Sequence, residues 1–200
     1  MVKKSVVEAH FSSVDPIISK YFYLIADLTL SQSSNPFVDL VESITSQQLS
    51  VKAGSTIFER FRKLFPKGRI TASGILSLTD QQIRDVGVSW SKVKYIKAIA
   101  EAVISRMVVF ESFSKVSDEE VIEVLTKIHG VGRWTAEMFL MFALGRSDVF
   151  SYGDLGLRRG IQKLYSFKKE PTRKQMEKIV NKWAPYRTYA SRILWRSMDG

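Results

Sequence analysis

Apolar residues recur at helical spacing along almost the whole of this 200-residue chain. The segment after Ser50 places five apolar side chains on one helical face, namely Val51, Ile57, Phe58, Phe61 and Leu64. Spacings of three and four residues are typical of amphipathic α-helices, and alternation of the strand type is absent over any useful length. The pattern predicts an all-α fold of roughly nine or ten helices.

Helix starts are marked by side chains that can bind the free amides of a first turn. Asp15 and Asn35 each stand before a proline, as an N-cap residue does when proline takes the first helical position. Capping boxes, in which Ser or Thr is followed three residues later by Gln or Glu, begin at Thr79, Ser117 and Thr172. The length of the chain gives one to two domains, and no internal repeat or low-complexity linker is visible in it.

Composition excludes several classes of protein. The chain contains no cysteine, which excludes disulfides, thiolate metal sites and a cysteine nucleophile. Hydrophobic residues make up 45% of the chain and charged residues 25%, as in globular domains. No apolar run is long enough to span a membrane. We expect no membrane partner and an intracellular location, in the cytoplasm or nucleoid of a prokaryote or the nucleus of a eukaryote.

The positive charge is concentrated near the C-terminus. The chain has a net charge of +10, and residues 158–200 contain 12 Lys and Arg against 3 Asp and Glu. A basic excess of this kind favours a polyanionic partner such as a nucleic acid. A basic segment that only keeps the protein in solution is the alternative.

The loop from His129 to Ala136 has the first chemical signature. It separates an amphipathic helix that ends near Ile128 from a very apolar helix, and it contains Gly130 and Gly132. Two glycines one residue apart allow a tight hairpin whose N–H groups point outward at the start of the second helix, where the helix dipole favours a phosphate. An ordinary corner between two helices is the alternative.

Asp154 is the candidate catalytic carboxylate. It follows Gly153 and precedes Leu155, which places its carboxylate at the N-terminus of the next predicted helix. The helix dipole and the neighbouring arginines would keep it ionised there. A fixed carboxylate in a dry site can stabilise positive charge that develops during a reaction. A helix cap without catalytic role is the alternative.

Together these segments resemble the superfamily of DNA glycosylases that combines a helix-hairpin-helix motif, a Gly/Pro-rich loop and an aspartate. The hairpin motif, residues 125–136, matches at Leu125, Ile128, Gly130, Val131, Gly132, Thr135 and Ala136. The resemblance implies a single glycosylase unit over residues 1–200 with a two-lobed helical fold. One lobe would span about residues 37–145 and include the hairpin, and the other would pair residues 1–36 with 146–200, with the active cleft between them.

Position 134 separates the reaction types of this superfamily. Glycosylase-lyases carry a lysine there, which attacks the sugar as a Schiff-base nucleophile, whereas this chain has Trp134. The string Gly-Arg-Trp-Thr-Ala is similar to that of the DNA-3-methyladenine glycosylase II family, as are the segments 46–51 and 183–190. The resemblance implies a monofunctional enzyme of base excision repair, which flips alkylated purines of the 3-methyladenine type out of duplex DNA and excises them with water.

The resemblance also assigns roles to residues. Asp154 would be catalytic, either by activating water or by stabilising charge alone. The pocket for the flipped base would contain Trp134, Trp195, Tyr152, Phe150 and Met138, although core packing is the alternative for Trp195. DNA contacts would come from the loop Gln47, Gln48, Leu49 and Ser50, from the hairpin residues His129, Gly130, Val131, Gly132, Arg133 and Thr135, and from Arg158, Arg159 and Arg187.

The chain departs from well-known bacterial members of the family in two places. It resembles a compact form without their N-terminal β-sheet domain, and it has Met138 where a pocket tyrosine is expected. Either Gln48 or Leu49 would fill the gap left in the duplex.

The expected partner is duplex DNA that contains a damaged base, and the expected state is a monomer. No cofactor is required, and a sodium or potassium ion between hairpin carbonyls and a phosphate would be a nonessential partner. Two functions are the alternatives, a glycosylase for another damaged or deaminated base and a noncatalytic binder of DNA structures.

Overall fold

The computed structural model describes residues 3–198, and this part of the chain is helical without any strand. In chain order its helices are α1 (Lys4–Val14), α2 (Pro16–Ser19), α3 (Pro36–Ser46), α4 (Val51–Arg62), α5 (Ala72–Ser77), α6 (Asp80–Asp85), α7 (Trp90–Ile104), α8 (Asp118–Thr126), α9 (Arg133–Phe142), α10 (Leu155–Leu164), α11 (Arg173–Val180) and α12 (Arg187–Arg196). Short 3₁₀ helices lie at Phe22–Ile25, Pro66–Gly68, Phe110–Lys115 and Asn181–Trp183. The all-α prediction is confirmed.

The described residues form more helices than the apolar pattern predicted. The short helix α5, with 6 residues, is one whose start the sequence did not mark, whereas the caps at Asp15 and Thr79 marked the short helices α2 and α6. A helix of one to two turns shows too few apolar repeats for its period to stand out in the sequence.

The predicted caps are formed. The Asp15 carboxylate accepts hydrogen bonds from the N–H groups of Ile17 and Ile18, and the Asn35 side chain accepts one from the N–H of Val38. The capping boxes of α6, α8 and α11 begin at Thr79, Ser117 and Thr172, as predicted. These bonds satisfy amides of the first turn that no helical carbonyl can reach.

The described chain divides into two compact units. One comprises residues 33–139, and the other comprises residues 3–32 together with 140–198. The second boundary therefore falls within α9.

The unit of residues 33–139 is built around α7, which packs against α3, α5 and α6. Its core contains Leu40, Phe61, Ile75, Ile96 and Leu125, all of which are inaccessible to solvent. At about 1.5–3 kcal/mol for each large apolar side chain, this burial supplies the main force that holds the unit together.

The unit of residues 3–32 and 140–198 joins the two ends of the chain around Trp183, which is completely buried. The Asp15 carboxylate accepts hydrogen bonds from the Trp183 indole N–H at 2.9 Å and from the Tyr165 hydroxyl at 2.6 Å. Asp15 is itself buried, so these donors compensate the loss of water around its charge. The cap of α2 thereby also ties the N-terminal helices to the C-terminal segment. Within residues 3–198 no helix has the length and apolar character needed to cross a bilayer.

Candidate functional site

The hairpin forms where the sequence predicts it, between the end of α8 at Thr126 and the start of α9 at Arg133. Gly130 has a φ of +90°, a left-handed conformation that residues with a Cβ atom avoid. The Val131 N–H donates to the Ile128 carbonyl at 3.1 Å, and the Gly132 carbonyl accepts from the Ala136 N–H at 3.0 Å. Residues 126–132 line a shallow depression in the surface.

Tyr95 on α7 gives a second reason for the glycine at position 130. A Cβ atom at Gly130 would lie 2.1 Å from the Tyr95 Cγ atom, which is far inside contact distance. The Tyr95 ring also packs edge to face against His129, with ring centroids 5.0 Å apart. A Cβ at Gly132 would have no neighbour within 4 Å. Gly130 is therefore required both by its left-handed backbone conformation and by the close packing of Tyr95, whereas the surface beside Gly132 is open.

Arg133, predicted to contact DNA, is held by carboxylates of the two hairpin helices. Its guanidinium donates to both carboxylate oxygens of Glu119, at 2.8 and 2.9 Å, and to Glu137 at 3.0 Å. The hydrogen bond from Arg133 lowers the pKa of the Glu119 carboxyl below its ordinary value. Arg133 thus clamps α8 to α9, and a direct contact with DNA stays a prediction.

The loop of residues 47–50 connects α3 to α4 in the same unit as the hairpin. The Gln47 side chain donates to the Thr135 hydroxyl at 3.0 Å, and the Ser50 side chain caps α4 by accepting from the Ala53 N–H. Gln48 and Leu49 are exposed at the tip of the loop, and Gln48 has a φ of +59°. Of the four residues predicted to face DNA, two therefore hold the loop and two project from it.

Asp154 is the N-cap of α10, as predicted, and its carboxylate also accepts a hydrogen bond from a side chain of α12. Its Oδ1 atom accepts hydrogen bonds from the Leu157 N–H at 2.8 Å and from the Trp195 indole N–H at 3.0 Å. A Cβ atom at Gly156 would lie 3.0 Å from Trp195 and 3.1 Å from that Oδ1 atom, so glycine leaves the indole room to approach. With 9% of its surface exposed, Asp154 is an oriented carboxylate in a largely dehydrated place.

The presence of this hairpin and of an aspartate that caps a helix agrees with comparisons of the chain with known protein families and structures. The family model described as "HhH-GPD superfamily base excision DNA repair protein" matches residues 41–186. The chain belongs to this superfamily.

Curated relatives match over most of their length. DNA-3-methyladenine glycosylase 1 of Schizosaccharomyces pombe is 36% identical over 195 residues, which cover 95% of this chain and 86% of that protein. The putative DNA-3-methyladenine glycosylase YfjP of Bacillus subtilis is 30% identical over 200 residues, which cover 95% of this chain and 68% of that one.

Solved structures have the same fold. The S. pombe 3-methyladenine DNA glycosylase Mag1, in complex with abasic DNA, superposes with a TM-score of 0.86 at 35% identity and covers 97% of each chain. The DNA-3-methyladenine glycosidase of Bacillus halodurans has a TM-score of 0.83 at 38% identity and covers 96% of this chain and 88% of that one.

In this HhH-GPD protein, Trp195 has an aromatic neighbour that the sequence analysis missed. Phe142 stacks on Trp195 with ring centroids 5.8 Å apart and an angle of 29° between the planes. The Arg192 guanidinium lies 4.1 Å from the centroid of the Phe142 ring, and Phe142 is 48% exposed. An exposed phenylalanine at the end of an apolar helix looks in sequence like any core residue, so no signal marked it.

The other predicted pocket residues differ in exposure. Trp134, the second residue of α9, is 43% exposed. Tyr152 is partly buried beneath the Arg173 guanidinium, which lies 3.3 Å from its ring centroid. Phe150 and Met138 are buried, Phe150 against Trp183 in the core of its unit. Three aromatic side chains, Trp134, Tyr152 and Trp195, thus have surface available to a ligand.

The basic residues predicted to face DNA are partly neutralised. Arg158 pairs with Glu170 at 2.6 Å and Arg187 with Asp148 at 3.5 Å, whereas Arg159 is exposed on α10. Among residues 3–198, no group of three or more His, Asp or Glu side chains could hold a metal ion. The monovalent cation at the hairpin stays a prediction.

Proposed function

We propose that this protein is a monofunctional DNA glycosylase that flips alkylated purines of the 3-methyladenine type out of duplex DNA and hydrolyses their N-glycosidic bond in base excision repair. The observation that carries the proposal is the Asp154 carboxylate, buried at the start of α10 and oriented by Leu157 and Trp195. It accompanies the hairpin in a chain whose relatives are named DNA-3-methyladenine glycosylases.

The chemistry requires one carboxylate. Rupture of the N-glycosidic bond builds positive charge on the deoxyribose, and a preoriented anion in a dehydrated site stabilises this charge without reorganising in the transition state. A purine alkylated on a ring nitrogen is already cationic, so it leaves without a general acid. Asp154 would stabilise the positive charge on the deoxyribose, either as its sole role or while also orienting the attacking water.

The proposed contacts with the DNA backbone do not depend on the base sequence of the DNA. Main-chain amides at the hairpin would bind a phosphate at the positive end of α9. The basic segment from residue 158 onward would add long-range attraction to the duplex. A pocket with aromatic surfaces would then receive the flipped base, because a cationic ring is attracted to π-faces.

Absence of lyase activity is the first expected result. Trp134 occupies the position of the lyase lysine and has no amine to form a Schiff base. Incubation with an abasic duplex and borohydride should therefore trap no covalent adduct, and the product strand should stay intact. A trapped adduct in the amount given by a known glycosylase-lyase under the same conditions would contradict the monofunctional proposal.

The order of substrates tests the proposal itself. Selection by positive charge and a weakened bond predicts that 3-methyladenine is released fastest, 7-methylguanine more slowly, and neutral hypoxanthine and uracil slowest. Single-turnover rates on the four duplexes at saturating protein measure this order.

Each alternative function has its own outcome in the same experiment. Faster release of hypoxanthine or uracil than of 3-methyladenine would indicate a glycosylase for deaminated bases. Tight binding to a duplex with an abasic analogue but no release from any substrate would indicate a noncatalytic binder of DNA structures.

A further inference from the structure

Lys92, on the first turn of α7, is bound to the loop of residues 47–50. Its ammonium donates to the carbonyl of Thr45 at 2.9 Å and to the carbonyl of Gln47 at 2.7 Å. Both carbonyls belong to the C-terminal end of α3, where the helix dipole favours a positive charge. Partial burial lowers the pKa of Lys92 from its ordinary value, as expected for an ammonium drawn into the protein.

The next turn of α7 contacts the hairpin. Tyr95 lies three residues after Lys92, so the two side chains occupy neighbouring positions on the helix surface. The Tyr95 ring fills the space beside Gly130 and packs against His129. One rigid helix therefore touches both segments that the proposed function assigns to DNA.

The loop is held in a conformation that its own residues do not favour. Gln48 has a φ of +59°, in the left-handed region where a side chain with a Cβ atom is destabilised by about 1–2 kcal/mol. The Gln47 side chain supplies a further restraint by its hydrogen bond to Thr135 on α9, and the Ser50 side chain holds the end of the loop by capping α4. The geometry of the exposed tip thus depends on bonds made outside the loop, and those of Lys92 are the only charged ones that the described contacts include.

We propose that Lys92 is a positioning residue, which holds the 47–50 loop ready to fill the gap left by a flipped base. Together with Tyr95 it makes α7 the brace that fixes the distance from the loop to the phosphate-binding hairpin. This inference rests on the proposed function. A loop arranged before binding loses less conformational entropy when it enters the duplex.

The experiment compares Lys92→Met with Lys92→Arg, which restores donors to the carbonyls, and with Lys63→Met, which removes one exposed charge after α4. Affinities are measured for an undamaged duplex and for one with an abasic analogue, and 2-aminopurine beside the analogue reports unstacking by its fluorescence. Lys92→Met should bind the abasic duplex about tenfold more weakly, with a diminished fluorescence rise. Binding to the undamaged duplex should change less than about twofold, because it depends on phosphate contacts.

The controls separate positioning from loss of charge or of folding. Lys92→Arg should recover most of the fluorescence rise, and Lys63→Met should behave as the wild type. If Lys92→Met does not fold, as judged by urea unfolding, Lys92→Gln removes the positive charge while its amide group retains N–H donors. Equal weakening on both duplexes, or an unchanged fluorescence rise, would overturn the proposal.

This readout needs no bond cleavage, so it is separate from the test of the proposed function. If the wild-type protein releases no base but Lys92→Met still diminishes the fluorescence rise, the proposed glycosylase function is wrong and the positioning role of Lys92 stands. If the wild-type protein releases the base and the fluorescence rise is unchanged in Lys92→Met, the positioning role of Lys92 is wrong and the proposed glycosylase function stands.

Discussion

Asp154→Asn should reduce the single-turnover release of 3-methyladenine by at least about 100-fold, because the developing positive charge on the sugar loses its anionic partner. The protein should stay folded. An asparagine Oδ1 atom can accept the same hydrogen bonds from the Leu157 and Trp195 N–H groups, so the cap of α10 is retained. Affinity for a duplex with an abasic analogue should stay close to that of the wild type, because the phosphate contacts do not change. Release rates on methylated DNA, urea unfolding and this affinity measure the three expectations.

Glu170→Gln is the matched control for this substitution. It also exchanges a carboxylate for an amide in the same unit, at an exposed position that pairs with Arg158. Its release rate should equal that of the wild type. If Asp154→Asn keeps more than about a tenth of the wild-type rate, the aspartate is a helix cap and the catalytic assignment is wrong.

Gly130→Ala should weaken binding to the abasic-analogue duplex by at least about tenfold and lower the free energy of unfolding by about 2–4 kcal/mol. Two costs add: about 1–2 kcal/mol for a left-handed alanine, and the displacement of Tyr95, whose Cγ atom would lie 2.1 Å from the new Cβ. Fluorescence anisotropy with labelled duplex and urea unfolding are the measurements.

Two further variants separate these costs. Gly132→Ala should keep the stability of the protein, since a Cβ there meets no atom within 4 Å, and should affect DNA affinity alone. The double variant Tyr95→Ala/Gly130→Ala removes the clash but keeps the backbone strain, so its loss of stability should be smaller than the sum of the single losses. Additive losses would show that Tyr95 and Gly130 act independently and would contradict their close packing.

The carboxylate of Asp154 combines structure and chemistry in one group. Its hydrogen bond to Leu157 starts α10, and its bond to Trp195 joins α10 to α12. The capping role that sequence alone offered as the alternative to catalysis is therefore present, and the same bonds orient the carboxylate as the proposed catalytic role requires. A cap is compatible with the catalytic role.

The sequence by itself determined the elements whose bonds are local. The capping boxes at Thr79, Ser117 and Thr172 connect residues three positions apart, and the caps at Asp15, Asn35 and Asp154 reach two or three residues along the chain. Hairpin geometry likewise depends on a few consecutive residues, so the two glycines together with the other matching positions of residues 125–136 predicted it. Bonds of this range depend on the residues at the start of the helix and much less on what packs around it.

Only the tertiary structure decided which distant side chains contact the candidate site residues of each unit. Trp195 reaches Asp154 across 41 residues, and Lys92 reaches Gln47 across 45. Tyr95 beside Gly130 and Phe142 beside Trp195 are further examples. Helical periodicity shows which face of a helix is buried, but which residues meet there depends on how whole helices pack. That packing is the joint result of many weak apolar contacts, and no short sequence pattern records it.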